Sequence, residues 1–86
     1  MIAAHDVNRI RNAVDAMENP SPQVVGSRIN ATRENAGIPV TDLAGKTGIA
    51  TVTLYRRLNG DENCTLGELL KLSTALDTPL SKWVAA

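Results

Sequence analysis

From Gly48 to Gly60 the chain reads GIATVTLYRRLNG, which gathers Thr51, Thr53, Tyr55, Arg56 and Arg57 onto one short stretch. These groups recognise rather than break bonds. A guanidinium presents a rigid fork of donors suited to paired acceptors, and hydroxyls donate or accept as required. Nothing in the chain supplies a catalytic set beside them. Cys64 is the single cysteine and has no His or Cys at metal-ligand spacing; His5 is equally isolated. Glu34 and Asp42 show no paired arrangement for acid and base work and read as solubilising or helix-dipole charges. No enzyme, no cofactor and no metal site is expected, and Cys64 reads as a half-buried structural thiol.

The charge distribution fits such a recognition surface. Net charge is zero, yet Val24 to Gly60 carries Arg28, Arg33, Lys46, Arg56 and Arg57 against only Glu34 and Asp42. The flanks supply the opposing acids: Asp6, Asp15 and Glu18 before it, and Asp61, Glu62, Glu68 and Asp77 after it. A basic centre with acidic edges directs a polyanion to one surface. Arg28 itself reads as a surface or salt-bridging residue.

The elements that must position these residues follow from punctuation and period. A chain of 86 residues accommodates one small domain. With 43% hydrophobic residues but only 2% aromatics, its core must come from Leu, Ile, Val and Ala, which favours helices. No apolar run reaches the roughly 20 residues that cross a bilayer, and Met1 to Pro20 lacks a signal-peptide pattern, so a cytoplasmic location is expected. Val7, Ile10, Val14 and Met17 form a stripe on an N-terminal helix near Asp6 to Glu18. Ser21 and Pro22 then suit an N-cap and first helical position. The helix they open runs to Ala36, with Val25, Ile29 and Ala36 inward and Thr32 in an apolar slot; Gly37 ends it.

Three further helices are expected before a short last one. Val40 to Thr47 faces Leu43 and Ala44 inward and closes at Gly48, and Thr51 to Leu58 stops at Asn59 and Gly60. TLGE, Thr65 to Glu68, reads as a capping box for a helix whose Leu66, Leu69, Leu70, Leu72, Ala75 and Leu76 sit at core spacing. Thr78 and Pro79 restart the chain as N-cap and first residue of a short helix containing Leu80, Trp83 and Val84.

GSRINATRENAGIPVTDLAGKTGIATVTLYRRLNG resembles the helix-turn-helix of the Cro/CI-type, XRE-like DNA-binding family, with the likeness extending from Val24 to about Val84. Ala44, Gly48, Ile49 and Leu54 carry it: a small residue for close helix approach, a turn glycine, an apolar plug and an apolar anchor. The resemblance implies an all-α, lambda-repressor-like domain of five helices over residues 21–86, to which residues 1–20 add an amphipathic helix and linker. It further implies that Thr51, Val52, Tyr55 and Arg56 meet base edges in the major groove of double-stranded DNA. Arg56 is suited to guanine O6 and N7, and Val52 or the methyl of Thr51 to a thymine methyl. Arg33, Thr41, Lys46, Thr53, Arg57 and Asn59 are the candidates for phosphate.

Three positions depart from the family pattern. Ala50 stands where a capping serine is common, so the recognition helix is expected to use Thr51 as N-cap. Pro39 replaces the usual Ser or Thr, losing a cap but fixing φ. Arg57 occupies a usually apolar position, where Leu58 supplies the burial while the arginine stem covers the helix and its head reaches water. The implied function is that of a Cro-like regulator or short phage-type repressor acting by operator occupancy. It would act as a homodimer through either the N-terminal helix or the Leu80, Trp83 and Val84 patch. A protein-interaction module on the same fold, antitoxin-like or inhibiting a host protein, is the alternative, since neutral net charge permits it.

Overall fold

Ser21 opens the first helix of the computed structural model, which describes residues 20–85. Its hydroxyl accepts from the Val24 N–H at 3.2 Å, with Pro22 as the first helical residue. This α1 (Pro22–Asn35) is followed by α2 (Val40–Thr47), α3 (Thr51–Asn59), α4 (Leu66–Ala75) and α5 (Ser81–Val84). Among the described residues there is no strand. The N-terminal helix expected over Asp6 to Glu18 lies outside them.

The turns form as their residues dictate. Pro39 supplies no side-chain cap to α2, and Gly48, at φ 74°, donates to Ala44 O as that helix closes. Thr65 and Glu68 complete the capping box in both directions, at 3.1 and 2.9 Å. Two helix starts differ from expectation. Ala50, not Thr51, takes the N-cap position of α3, with an extended ψ of 139° and no side-chain bond, so Thr51 is already helical. Thr78 does not cap α5: its hydroxyl donates to Leu76 O, and the helix proper begins at Ser81 after a turn through Pro79 and Leu80.

One apolar cluster joins all five helices and the turn: Ile29, Leu43, Ala44, Ile49, Leu54, Leu58, Leu72, Leu76 and Trp83. Trp83 is fully buried and closes the cluster as a lid, so it cannot belong to an exposed patch with Leu80 and Val84. Ala36 is exposed rather than part of the α1 stripe. Leu66 and Leu70 stand in solvent, at 66% and 52% exposure. Leu72 and Leu76 set the inward direction of α4. At about 100° per residue, Leu66 and Leu70 lie well to one side of it.

Candidate nucleic-acid interface

Leu54 and Leu58 root α3 in the core, and the arc opposite them is open. At 100° per residue Tyr55, Asn59, Val52 and Arg56 share an arc of about 100°. All four are exposed, Val52 by 66% and Tyr55 by 48%. Thr51 and Thr53 flank that arc and are half-buried. Of the four expected base-reading residues, three therefore project freely, and Thr51 sits at the margin. Among the described residues no hydrogen bond or salt bridge engages the exposed Arg56 guanidinium.

The turn before α3 is held by a residue that sequence patterns passed over. Thr47, only 7% exposed, donates its hydroxyl to Leu43 O at 2.9 Å and accepts from the Ile49 N–H at 3.3 Å. One side chain thus satisfies a donor of the turn that has left the helical ladder. Ile49, 8% exposed, plugs the cluster beneath, and Ala44 at 5% leaves room for the crossing helix.

From behind, α1 presses directly on the α3 backbone. A Cβ on Gly26 would lie 2.5 Å from Arg57 O and 2.8 Å from Leu58 O, so only glycine permits this approach. Gly60, at φ 79°, meets Gln23 as closely. Gly60 and Asp61 donate to Arg57 O and Arg56 O, which pairs two of the carbonyls in the last turn of α3.

Two of the expected phosphate ligands are committed elsewhere. Arg57 does not extend its head into water: its side chain is 12% exposed, Nε donates to Glu68 Oε1 at 2.9 Å, and an Nη donates to Glu62 Oε2 at 2.6 Å. The two carboxylates hold the guanidinium charge and raise its pKa further above an already high value. Arg33, 15% exposed, donates to Asn30 Oδ1 and to Ile38 O, bracing the α1–α2 turn. Thr41, Lys46 and Asn59 are exposed. The Arg57 contacts were hidden in the sequence because Glu68 is eleven residues away across a loop.

Glu68 is shared between two duties. Burial opposes its ionisation, but the Thr65 backbone N–H and the Arg57 guanidinium outweigh that and hold its pKa below the ordinary carboxylate value. Cys64 beside it is half-buried, and burial pushes its thiol up, with Glu68 adding to the effect. Among the described residues no group of His, Cys, Asp or Glu could hold a metal ion, and no helix is long and apolar enough to cross a membrane.

Comparison with known proteins places this geometry among relatives. Residues 28–81 match the model of the Cro/C1-type HTH DNA-binding domain. A protein of Pyrococcus horikoshii, whose name describes an HTH-type transcriptional regulatory protein, is 35% identical over 60 residues. That match covers 70% of this chain but spans only 19% of the relative's length. The restriction-modification controller protein C.AhdI from Aeromonas hydrophila superposes with a TM-score of 0.69 at 27% identity, over 72% of this chain and 94% of that one. An HTH_3 family transcriptional regulator from Vibrio cholerae superposes with a TM-score of 0.68 over 72% of this chain and 35% of that one. At 19% identity the latter is a likeness of fold.

Proposed function

Because this chain belongs to the Cro/C1-type helix-turn-helix DNA-binding family, we propose that it regulates transcription by occupying a specific double-stranded operator, with α3 in the major groove. Val52, Tyr55 and Arg56 read base edges, Arg56 as the donor fork for a guanine and Val52 as an apolar contact for a thymine methyl. Thr51 contributes its methyl from the margin of the face. Thr41, Lys46, Thr53 and Asn59 hold phosphate and set the register. Arg33 and Arg57, whose guanidinium groups are bound to protein acceptors, support the scaffold in this reading.

The observation that carries the reading is the combination at α3: an exposed arc with an arginine that no described residue engages, on a helix whose other side is locked into the core. Site occupancy as the means of control agrees with the controller role named for C.AhdI. We further propose that the protein acts as a homodimer on half-sites about 34 Å apart, one duplex turn, so that two α3 helices enter successive major grooves.

Selection of bound sequences from a random duplex pool, with the mass of the complex measured on the product, tests both statements. A two-fold symmetric consensus with two chains per duplex is expected. An asymmetric consensus with one chain would remove the dimer, and no enrichment over the starting pool would remove sequence-specific binding.

A further inference from the structure

Leucine packing fixes how far α3 stands from the core, but it does so without direction. The free energy of burying Leu54 and Leu58 is proportional to area and does not by itself single out one roll about the helix axis. Base reading is less tolerant, because a recognition constellation has to be held within about 10–20° of its productive orientation. Something directional must set the roll of this nine-residue helix, and its first turn lacks a side-chain cap.

We propose that Arg57 is a positioning residue for DNA reading: its guanidinium latches α3 to Glu68 of α4 and Glu62 of the loop, and so sets where Val52, Tyr55 and Arg56 meet the duplex. Arg57 lies on α3 directly after Arg56, about 100° around the axis, so any roll of the helix moves both. Its two bonds reach two different segments, Glu68 in the first turn of α4 and Glu62 in the loop, at 2.9 and 2.6 Å. A planar fork bound at two points resists rotation in a way a single ammonium cannot. The Glu68 anchor is itself fixed, since the same Oε1 accepts from the Thr65 N–H at 2.9 Å and the Thr65 hydroxyl accepts from Glu68 N at 3.1 Å. The capping box that starts α4 thereby also orients α3. Gly26 and Gly60 bring α1 against the same end of the helix.

This inference rests on the DNA-reading function proposed above, and the two are separable. Arg57→Met keeps the apolar stem, Arg57→Lys keeps the charge without the fork, and Glu62→Gln weakens the more exposed arm while leaving the α4 cap intact. Each is compared with Arg56→Ala for affinity to the selected duplex and to a scrambled duplex of the same length. The salt dependence is measured for both duplexes, below the melting transition of the least stable variant.

The ratio of selected to scrambled affinity is expected to fall roughly tenfold for Arg57→Met, the scale of one lost base contact. A smaller fall is expected for Glu62→Gln, partial recovery for Arg57→Lys, and an unchanged salt slope throughout. Equal weakening on both duplexes with a slope reduced by about 0.9 would make Arg57 a phosphate ligand and overturn the proposal. An intact ratio with only a lower melting temperature would overturn it as well, leaving a purely structural ion pair. If Arg56→Ala loses the ratio while Arg57→Met and Glu62→Gln keep it, the latch alone falls; if Arg56→Ala also keeps it, the base-reading function falls with it.

Discussion

Trp83 donates its indole N–H to the Thr32 hydroxyl at 3.0 Å, joining α5 to the last turn of α1 across 51 residues of sequence. The same hydroxyl donates to Arg28 O at 3.0 Å, and Arg28 in turn donates to the carbonyls of Trp83 and Ala85. A fully buried indole thus has its one polar atom satisfied. The C-terminal turn is tied down by a closed cycle of bonds as well as by packing.

Thr32→Val preserves shape but removes the acceptor, and is expected to destabilise the fold by about 1–3 kcal/mol because a buried N–H is left unpaired. Thr32→Ser is expected to recover most of that. Denaturant midpoints at an unchanged m-value would measure both.

Thr47→Val should act in the same manner at the helix-turn-helix corner, where the hydroxyl serves Leu43 O and the Ile49 N–H. A loss of about 1–3 kcal/mol is expected. Faster amide exchange should appear at Ile49 ahead of the core helices, and uniform exchange across the domain would contradict the local role.

Two glycine-to-alanine changes should move stability in opposite directions. Gly26→Ala forces a methyl into the α3 backbone at 2.5 Å and is expected to cost about 1–3 kcal/mol or more. Gly45→Ala, exposed inside α2 with nothing near the new methyl, is expected to stabilise by about 0.5–1 kcal/mol. Thermal unfolding of the pair provides the comparison.

Glu68 gives a pH signature. Its folded-state pKa is depressed below the ordinary 4.5, so the ionised form stabilises the fold above pH 4.5, and that contribution fades as the pH falls through the lower folded value. Stability should therefore decline on acidification below about 4.5. Glu68→Gln, less stable at neutral pH, should decline less over the same interval. Parallel curves for the two proteins would show that Glu68 carries no such linkage.

Local chemistry made much of this fold readable in advance. Ser21 with Pro22, Thr65 with Glu68, and the glycines at 48 and 60 act within a few residues of themselves, so their spacing specifies helix ends without reference to the rest of the chain. The exposed arc of α3 was legible too, because Leu54 and Leu58 alone define its inward side. Helix α4 was less so. Leu66, Leu69, Leu70, Leu72, Ala75 and Leu76 spread over more than one face, and only tertiary packing selects Leu72 and Leu76 while leaving Leu66 and Leu70 in solvent. Arg33, Arg57 and the Trp83–Thr32 pair share a different difficulty. A free surface arginine and one bound to protein acceptors look alike until the fold brings the acceptors to it: Ile38 O at the α1–α2 turn for Arg33, Glu62 and Glu68 across the loop for Arg57, and Thr32 of α1 for the Trp83 indole.

In the proposed binding mode α3 offers Arg56, beside Val52 and Tyr55, to base edges while Lys46 holds only phosphate. This mode is tested most directly by measuring, at one fixed salt concentration, the affinities of Arg56→Ala and Lys46→Ala for the selected duplex and for variants substituted one base pair at a time. Arg56→Ala should cost about 1–3 kcal/mol on the selected duplex and abolish discrimination at a single base pair, whereas Lys46→Ala should weaken every duplex alike. If both variants lose equally on selected and substituted duplexes, with discrimination at every position intact, α3 does not read bases through Arg56.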